Sequence, residues 1–311
     1  MAKTTLIIST RDRPEYLKIL LHTVFEQTRP FELVIISDNS SSAHFKELNK
    51  IILEPFLKKY EENLTLIPTP EDFASDRHTK YIQDNYVGET EFCVLFHDDD
   101  ELLPNYHETV LNIFKSRANI VAVGCNALIL KDQKRAWGTL MRHRQGIKII
   151  KNRGDLLKPY MEIGPLASPP LCGYMFKSEI LKIISFDRRI GGKYSDVVAL
   201  SQTVTLGEIV WVFRPLIRYR FHSAQNSQAV STLDFRNLLN YMVRKGKFKV
   251  ESIYAESYRF KHMRLKLHSL LRPRKWRSAR TVGSYMFCFI MKKLIWRSQS
   301  YQYIWNKIIF K

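Results

Sequence analysis

Short apolar runs alternate with segments of helical period through the first third of the chain, and this alternation most limits the folds available to it. Residues 5–9 form an apolar run that ends in the polar loop Thr10-Arg11-Asp12-Arg13. A helix is expected from Pro14, a residue suited to a first turn, with Leu17, Leu20, Leu21, Val24 and Phe25 on one apolar face. Residues 33–36 read as the next strand and end at Ser37-Asp38-Asn39-Ser40, followed by a helical stretch over 42–60. A third strand over 64–67 is stopped by Pro68 and Pro70, a helix covers 76–86, and a fourth strand over 92–96 runs into His97-Asp98-Asp99-Asp100-Glu101. Strands alternating with helices predict an α/β fold with a mainly parallel central sheet and right-handed crossovers. Ligands of such sheets bind outside the carboxyl ends of the strands, so the three polar loops are expected along one rim.

The second half is less regular. Residues 120–130 read as one long strand or two short ones, and Ser168-Pro169-Pro170 with Gly173 as a loop. Residues 186–193, with Gly191-Gly192, read as a second loop, and 197–204 as a helix behind Asp196. Strands over 209–213 and 216–219 are expected to be split by Pro215.

Three adjacent carboxylates after a buried strand repel one another, and a bound divalent cation relieves that repulsion. Mg²⁺ or Mn²⁺ suits carboxylate oxygens and leaves positions for diphosphate oxygens. On spacing alone, the competing reading is a solvated acidic turn, or acids complementing the dipole of a helix after Pro104.

The segment Thr4 to Asp12, the Asp38-Asn39-Ser40 turn and Phe96-His97-Asp98-Asp99-Asp100-Glu101-Leu102-Leu103-Pro104 together resemble family 2 glycosyltransferases. The resemblance implies the GT-A fold, a nucleotide-binding α/β sandwich. Its members typically read D-x-D-D followed by apolar residues and a proline. In that alignment His97 stands at the first Asp, while Asp99 and Asp100 match; a shift by one would instead pair Asp98 with Asp100. The cluster is thereby implied to touch the donor ribose and to hold a metal on its diphosphate, with Asp99 first among ligands and Asp98 or Asp100 assisting. Asp38 is implied to bond the nucleobase or ribose, Thr10 and Arg11 to cup the base, and Arg77 to contact the donor.

Later segments extend the resemblance as far as Ser223. Tyr194-Ser195-Asp196-Val197-Val198-Ala199-Leu200 is similar to the family's catalytic acid pair, with Ser195 where a Glu is usual. Asp196 is thus the implied general base for the acceptor hydroxyl, a poor nucleophile while protonated. An N-cap is its alternative role. Arg218-Tyr219-Arg220-Phe221-His222-Ser223 resembles the closing segment, and implies that His222 binds the metal or the leaving diphosphate. Gly173, Tyr174 and the Ser168-Pro169-Pro170 loop fall on the implied acceptor side.

The charge distribution divides the chain. The formal net charge is +19, and residues 236–311 hold 19 Lys and Arg against Glu251 and Glu256, leaving 30 basic and 28 acidic residues before them. A GT-A domain over 1–231 is therefore expected to carry a basic, aromatic-rich helical extension over 232–311. Arg272, Arg274, Lys275, Arg277 and Arg280 form its densest basic run, and Met286 to Trp296 is mostly apolar. Such segments favour anionic membrane surfaces. Helices packed on the domain, or at the contact of a homo-oligomer, are the second reading, and nucleic-acid binding the third. No run is long enough to span a bilayer, and Leu6-Ile7-Ile8 is too short for a signal peptide. Cys93, Cys125, Cys172 and Cys288 lack metal-ligand spacing and are expected to be reduced thiols. The expected location is cytoplasmic, peripheral at the inner face of the cell membrane.

The expected activity is transfer of a sugar from a nucleoside diphosphate donor, UDP above all, to a saccharide or lipid-linked saccharide acceptor. Inversion, and a place in polysaccharide or lipopolysaccharide synthesis, come from the resemblance. A nucleotidyltransferase would also join an α/β fold to acidic metal ligands, but would carry an early glycine-rich phosphate loop, and residues 1–60 hold no glycine. A non-catalytic adaptor is the third class, motivated by His97 and Ser195.

Overall fold

The computed structural model describes residues 3–131, 138–141, 145–162, 168–222, 231–250 and 252–270. In the first half, β1 (Thr4–Thr10), α1 (Pro14–Phe25), β2 (Leu33–Asp38), α2 (Ala43–Lys59), β3 (Leu64–Pro68), α3 (Ser75–Tyr86) and β4 (Phe92–His97) alternate as expected. Then come β5 (Glu101–Leu102), α4 (Tyr106–Ser116), β6 (Ile120–Lys131), β7 (Ile147–Ile150), α5 (Arg153–Met161), β8 (Tyr174–Lys177) and α6 (Ser178–Ile183). The described chain closes with α7 (Arg188–Gly191), α8 (Ser195–Thr203), β9 (Glu208–Phe221), α9 (Thr232–Gly246) and α10 (Ile253–Leu270).

One sheet organises the molecule, in the order β3-β2-β1-β4-β8-β6-β9-β5, with β7 against β9. The β3-β2-β1-β4 half is parallel, and β6 runs parallel to β9; β8, β5 and β7 join antiparallel through short ladders. The central strands are nearly continuous apolar runs because both faces are covered. Leu6, Ile8, Val34, Ile36, Val94 and Phe96 point into one core with Leu17, Leu20, Leu21 and Val24 of α1. Their neighbours Ile7, Ile35, Cys93 and Leu95 point into a second core with Ile82 of α3 and Leu181 of α6. The two-residue period of the strands thus feeds two helical layers.

In the second half one alternative is chosen and two expectations are corrected. Residues 120–130 belong to one strand, and β9 runs unbroken through Pro215. Pro215 pairs with Asn126 where the β6–β9 register shifts, so its missing N–H falls at a bulge. Asn126 fills the gap: its Nδ2 donates to the carbonyls of Phe213 (2.9 Å) and Met141 (3.2 Å), and its Oδ1 accepts from Met141 N–H. The expected loop over 186–193 contains α7 and leads into a 3-10 turn, Gly192–Tyr194. Residues 271–311, with the densest basic run and Met286 to Trp296, lie outside the described residues, as does Cys288.

A third cluster lies under α9 and α10. Phe235, Leu238, Met242, Ala255 and Tyr258 pack with Leu157, Tyr160 and Met161 of α5 and Val197 of α8. The first part of the basic extension therefore shares a core with helices that precede it. Among the described residues, no helix is long and apolar enough to cross a membrane.

Candidate active site

The register of β1, β2 and β4 brings the three polar loops together. Thr10 pairs with Asp38, and Ser9 with His97. The first two loops are then bonded: Asp12 N–H donates to Ser40 Oγ (3.2 Å), and Ser41 N–H to Asp12 Oδ1 (2.7 Å). Asp12 adopts φ 55°, a left-handed conformation that aspartate tolerates better than most residues. Asp38 is buried; its Oδ1 accepts from Ser40 N–H (2.9 Å) and its Oδ2 from Asn49 Nδ2 (3.0 Å). Asn39 reaches onward, donating to the Phe73 carbonyl and accepting from Phe73 N–H.

The three aspartates after β4 are all buried, yet each faces different partners. Asp98 turns to the β1 loop: its Oδ2 accepts from Thr10 Oγ1 (2.7 Å) and Arg11 N–H (3.1 Å), and its Oδ1 lies 3.2 Å from Arg13 Nη2. Asp99 Oδ2 pairs with Arg13 Nη1 and lies 3.0 Å from His222 Nε2. Asp100 Oδ1 accepts from Arg220 N–H (2.9 Å), whereas its Oδ2 meets no hydrogen-bond geometry among the described residues; the Cys172 thiol lies beside the carboxyl. Glu101 is held by Arg218 (3.0 Å) and Arg220. The Arg220 guanidinium also stacks over Tyr16, 4.9 Å from its ring centre, and Tyr16 in turn meets the His222 ring.

These surroundings separate the carboxyls electrostatically. Burial, reinforced by Asp99, pushes Asp98 up against the pull of Arg13 and its two hydrogen bonds. Burial acts on Asp99 too, but Arg13, His97 and His222 together outweigh it and hold it below the ordinary range. Asp100 is raised well above that range by burial and by Asp99. A buried carboxyl with one oxygen unpartnered, beside a second carboxylate, is a group that an added cation would stabilise. Ligand atoms of His97, Asp99 and Asp100 all lie within 4.8 Å of one another, so the donor set fits a hard divalent ion.

A second carboxylate site opens α8. Asp196 is half-buried, and its Oδ1 accepts from Val197 N–H (2.8 Å). Burial pushes this carboxyl up to about 6, and the backbone hydrogen bonds only partly offset it. The turn before it is set by α9: Asp234 Oδ1 accepts from Lys193 N–H (3.0 Å), while Asp234 also completes the capping box with Ser231. Gly192 in that turn has φ +60°, and an added Cβ would strike Asp234 Oδ1.

The other expected site residues have side-chain surroundings of their own. Arg11 is bound through its guanidinium to Asp72 and the Phe73 carbonyl. Arg77 is exposed, pairs with Glu71 (2.7 Å) and covers the Phe73 ring. Gly173 and Tyr174 are buried: Gly173 leaves no room for a Cβ against the Cys125 carbonyl, and the Tyr174 ring packs on Gly124. Arg13, Tyr16 and Arg220 also belong to the site, though the sequence pattern does not single them out. Charge balance was the available signal, since buried acids need cations and both arginines stand in segments already assigned to the site, Thr10 to Arg13 and Arg218 to Ser223.

The family model described as Glycosyl transferase family 2 matches residues 5–178. No curated protein matches the chain. Among solved structures, it is similar to S. aureus TarS 1-349 in complex with UDP-GlcNAc, at 12% identity and TM-score 0.58, covering 84% of this chain and 72% of that one. It is similar to S. aureus TarS at 14% identity and TM-score 0.59, covering 87% and 46%. GalNAc-T7 with UDP, GalNAc and Mn²⁺ is similar at 11% identity and TM-score 0.54, covering 87% and 52%. At such identities the likeness is one of fold. The chain spans about half the length of the second TarS chain and of the GalNAc-T7 chain.

Proposed function

This chain belongs to glycosyl transferase family 2, and from that premise we propose that it transfers a sugar from a UDP-linked donor to a saccharide acceptor, with inversion at the anomeric carbon. The observation that carries the reading is the convergence of His97, Asp99 and Asp100 on the rim that also holds Thr10, Arg11 and Asp38. The bound UDP of a TarS structure and the UDP and Mn²⁺ of GalNAc-T7 support the choice of donor and ion. Asp98, Thr10 and Arg11 face the donor nucleoside, Asp38 and Asn39 shape the turn beside it, and Arg77 stands at its edge. Asp99 and Asp100, with His97 or His222, would hold Mn²⁺ or Mg²⁺, which when bound neutralises charge on the leaving diphosphate. Asp196 accepts the proton of the acceptor hydroxyl as that oxygen attacks the anomeric carbon and the bond to the diphosphate breaks. Gly173 and Tyr174 shape the acceptor side from beneath. The test is calorimetry of UDP with and without Mn²⁺, followed by a nucleotide-sugar panel read as released nucleotide. Metal-dependent UDP binding is expected; its absence would sink the reading.

The acceptor in this proposal is a cell-surface glycan on a lipid carrier or a lipopolysaccharide core, reached at the inner face of the cell membrane. The basic charge from residue 236 onward supports that location. A chain ending at Leu270 keeps the cluster under α9 and α10. It is expected to co-sediment less with anionic liposomes than the full chain, and undiminished pelleting would remove residues 271–311 as the anchor.

A further inference from the structure

Functional groups also converge away from the acidic rim. The start of α5, the short α7, the end of α8 and one face of α9 enclose a cleft of about 540 Å³, within the range of small-molecule sites. Arg153, Arg189, Gln202, Asn240, Arg244 and Lys245 line it, and no carboxylate among the described residues does. None of these residues belongs to the donor rim or to the Asp196 turn.

Helix stability accounts for only part of this charge. Arg244 and Lys245 stand in the last turn of α9, where cations complement the helix dipole. Arg153 is the first residue of α5, the end at which the dipole disfavours a cation. Its Nε donates to the Ser201 carbonyl (3.1 Å), which anchors the guanidinium at the cleft. Arg189 is matched by Asp187 through Nε (3.0 Å) and Nη2 (2.8 Å). Arg244 and Lys245 are exposed, and no described carboxylate lies within 4.0 Å of either. Gln202 commits its Oε1 to Ser185 N–H (2.8 Å), which leaves its amide hydrogens as donors. Guanidinium and ammonium groups gathered with amide donors, of which Arg189 alone has a described counter-carboxylate in Asp187, match the non-bridging oxygens of a phosphate.

We propose that this cleft is a second binding site, separate from the acidic rim, that takes a phosphate-bearing group. The group comes either from a soluble phosphorylated ligand or from an anionic lipid headgroup, and the site stands independently of the sugar-transfer reading. The test uses the full chain in EDTA, so that the acidic rim holds no metal. Pyrophosphate is titrated by calorimetry, and phosphatidylglycerol vesicles are compared with phosphatidylcholine vesicles by co-sedimentation. The R153Q/R244Q/K245Q variant should bind pyrophosphate about tenfold more weakly than the wild type, or weaker still. Loss confined to phosphatidylglycerol vesicles would assign the group to a lipid headgroup. The proposal is overturned if the folded variant matches the wild type on both probes, or if the wild type binds neither. Should the triple variant fail to fold, R244Q/K245Q, which changes only exposed side chains, decides on the same readouts. UDP binding with Mn²⁺ should be unchanged in the variant, and its absence from the wild type would count against sugar transfer alone.

Discussion

The two carboxylate sites of this protein handle charge in opposite ways. At the end of β4, Asp98 and Asp99 are buried but braced by Arg13, with His222 on Asp99 and the Arg220 N–H on Asp100. At the start of α8, no described cation lies within 4.0 Å of Asp196, which is held by backbone N–H groups, that of Val197 among them, and burial lifts its carboxyl to about 6. The first arrangement suits acids that hold a cation. The second suits an acid that exchanges a proton near neutral pH.

The largest effect should come from breaking the braced site. Asp99→Asn removes the carboxylate shared by Arg13 and His222. It is expected to lower transfer roughly a thousandfold and to abolish the Mn²⁺ dependence of UDP binding, read by calorimetry. Asp196→Asn should lower kcat about a hundredfold or more while leaving UDP binding intact; retained turnover would remove Asp196 as base. In the wild type, kcat/KM should fall about tenfold per pH unit below about 6, as Asp196 takes up its proton.

Stability should respond in the opposite sense at Asp196. Because its folded carboxyl is raised from 3.8 to about 6, its ionisation disfavours the fold increasingly as pH rises through that window. Asp196→Asn should therefore raise Tm at pH 8 and leave it nearly unchanged near pH 4. Next in size is Gly192→Ala, which forces a side chain onto φ +60° and into Asp234. A loss of about 1–3 kcal/mol in chemical denaturation is expected, with kcat falling more than UDP affinity because the turn carries Asp196. The smallest effect belongs to Arg77→Ala. This exposed residue with its Glu71 partner should change UDP affinity less than about threefold; a larger loss would make it a true donor contact.

Much of the braced site was legible in the chain. The apolar runs ending at Thr10, Asp38 and His97 implied a common rim, and strand register delivers it through the Thr10–Asp38 and Ser9–His97 pairs. The acidic cluster was visible as adjacent acids, but their division of labour was not. Successive residues point different ways once the strand ends, so Asp98 meets Thr10 while Asp100 meets Arg220. Pro215 misled because a proline rule written for regular ladders does not anticipate a bulge stitched by Asn126.

The sequence by itself determined the layered α/β plan, the strand-end rim and the acids placed on it, because local periodicity and turn chemistry act over neighbouring residues. Only the tertiary structure decided which cations brace those acids, that Asp234 shapes the turn before Asp196, and that α9 and α10 close a core with α5 and α8. Those contacts join side chains far apart in the chain. Burial there sets both the charge of a carboxyl and the room left for a side chain.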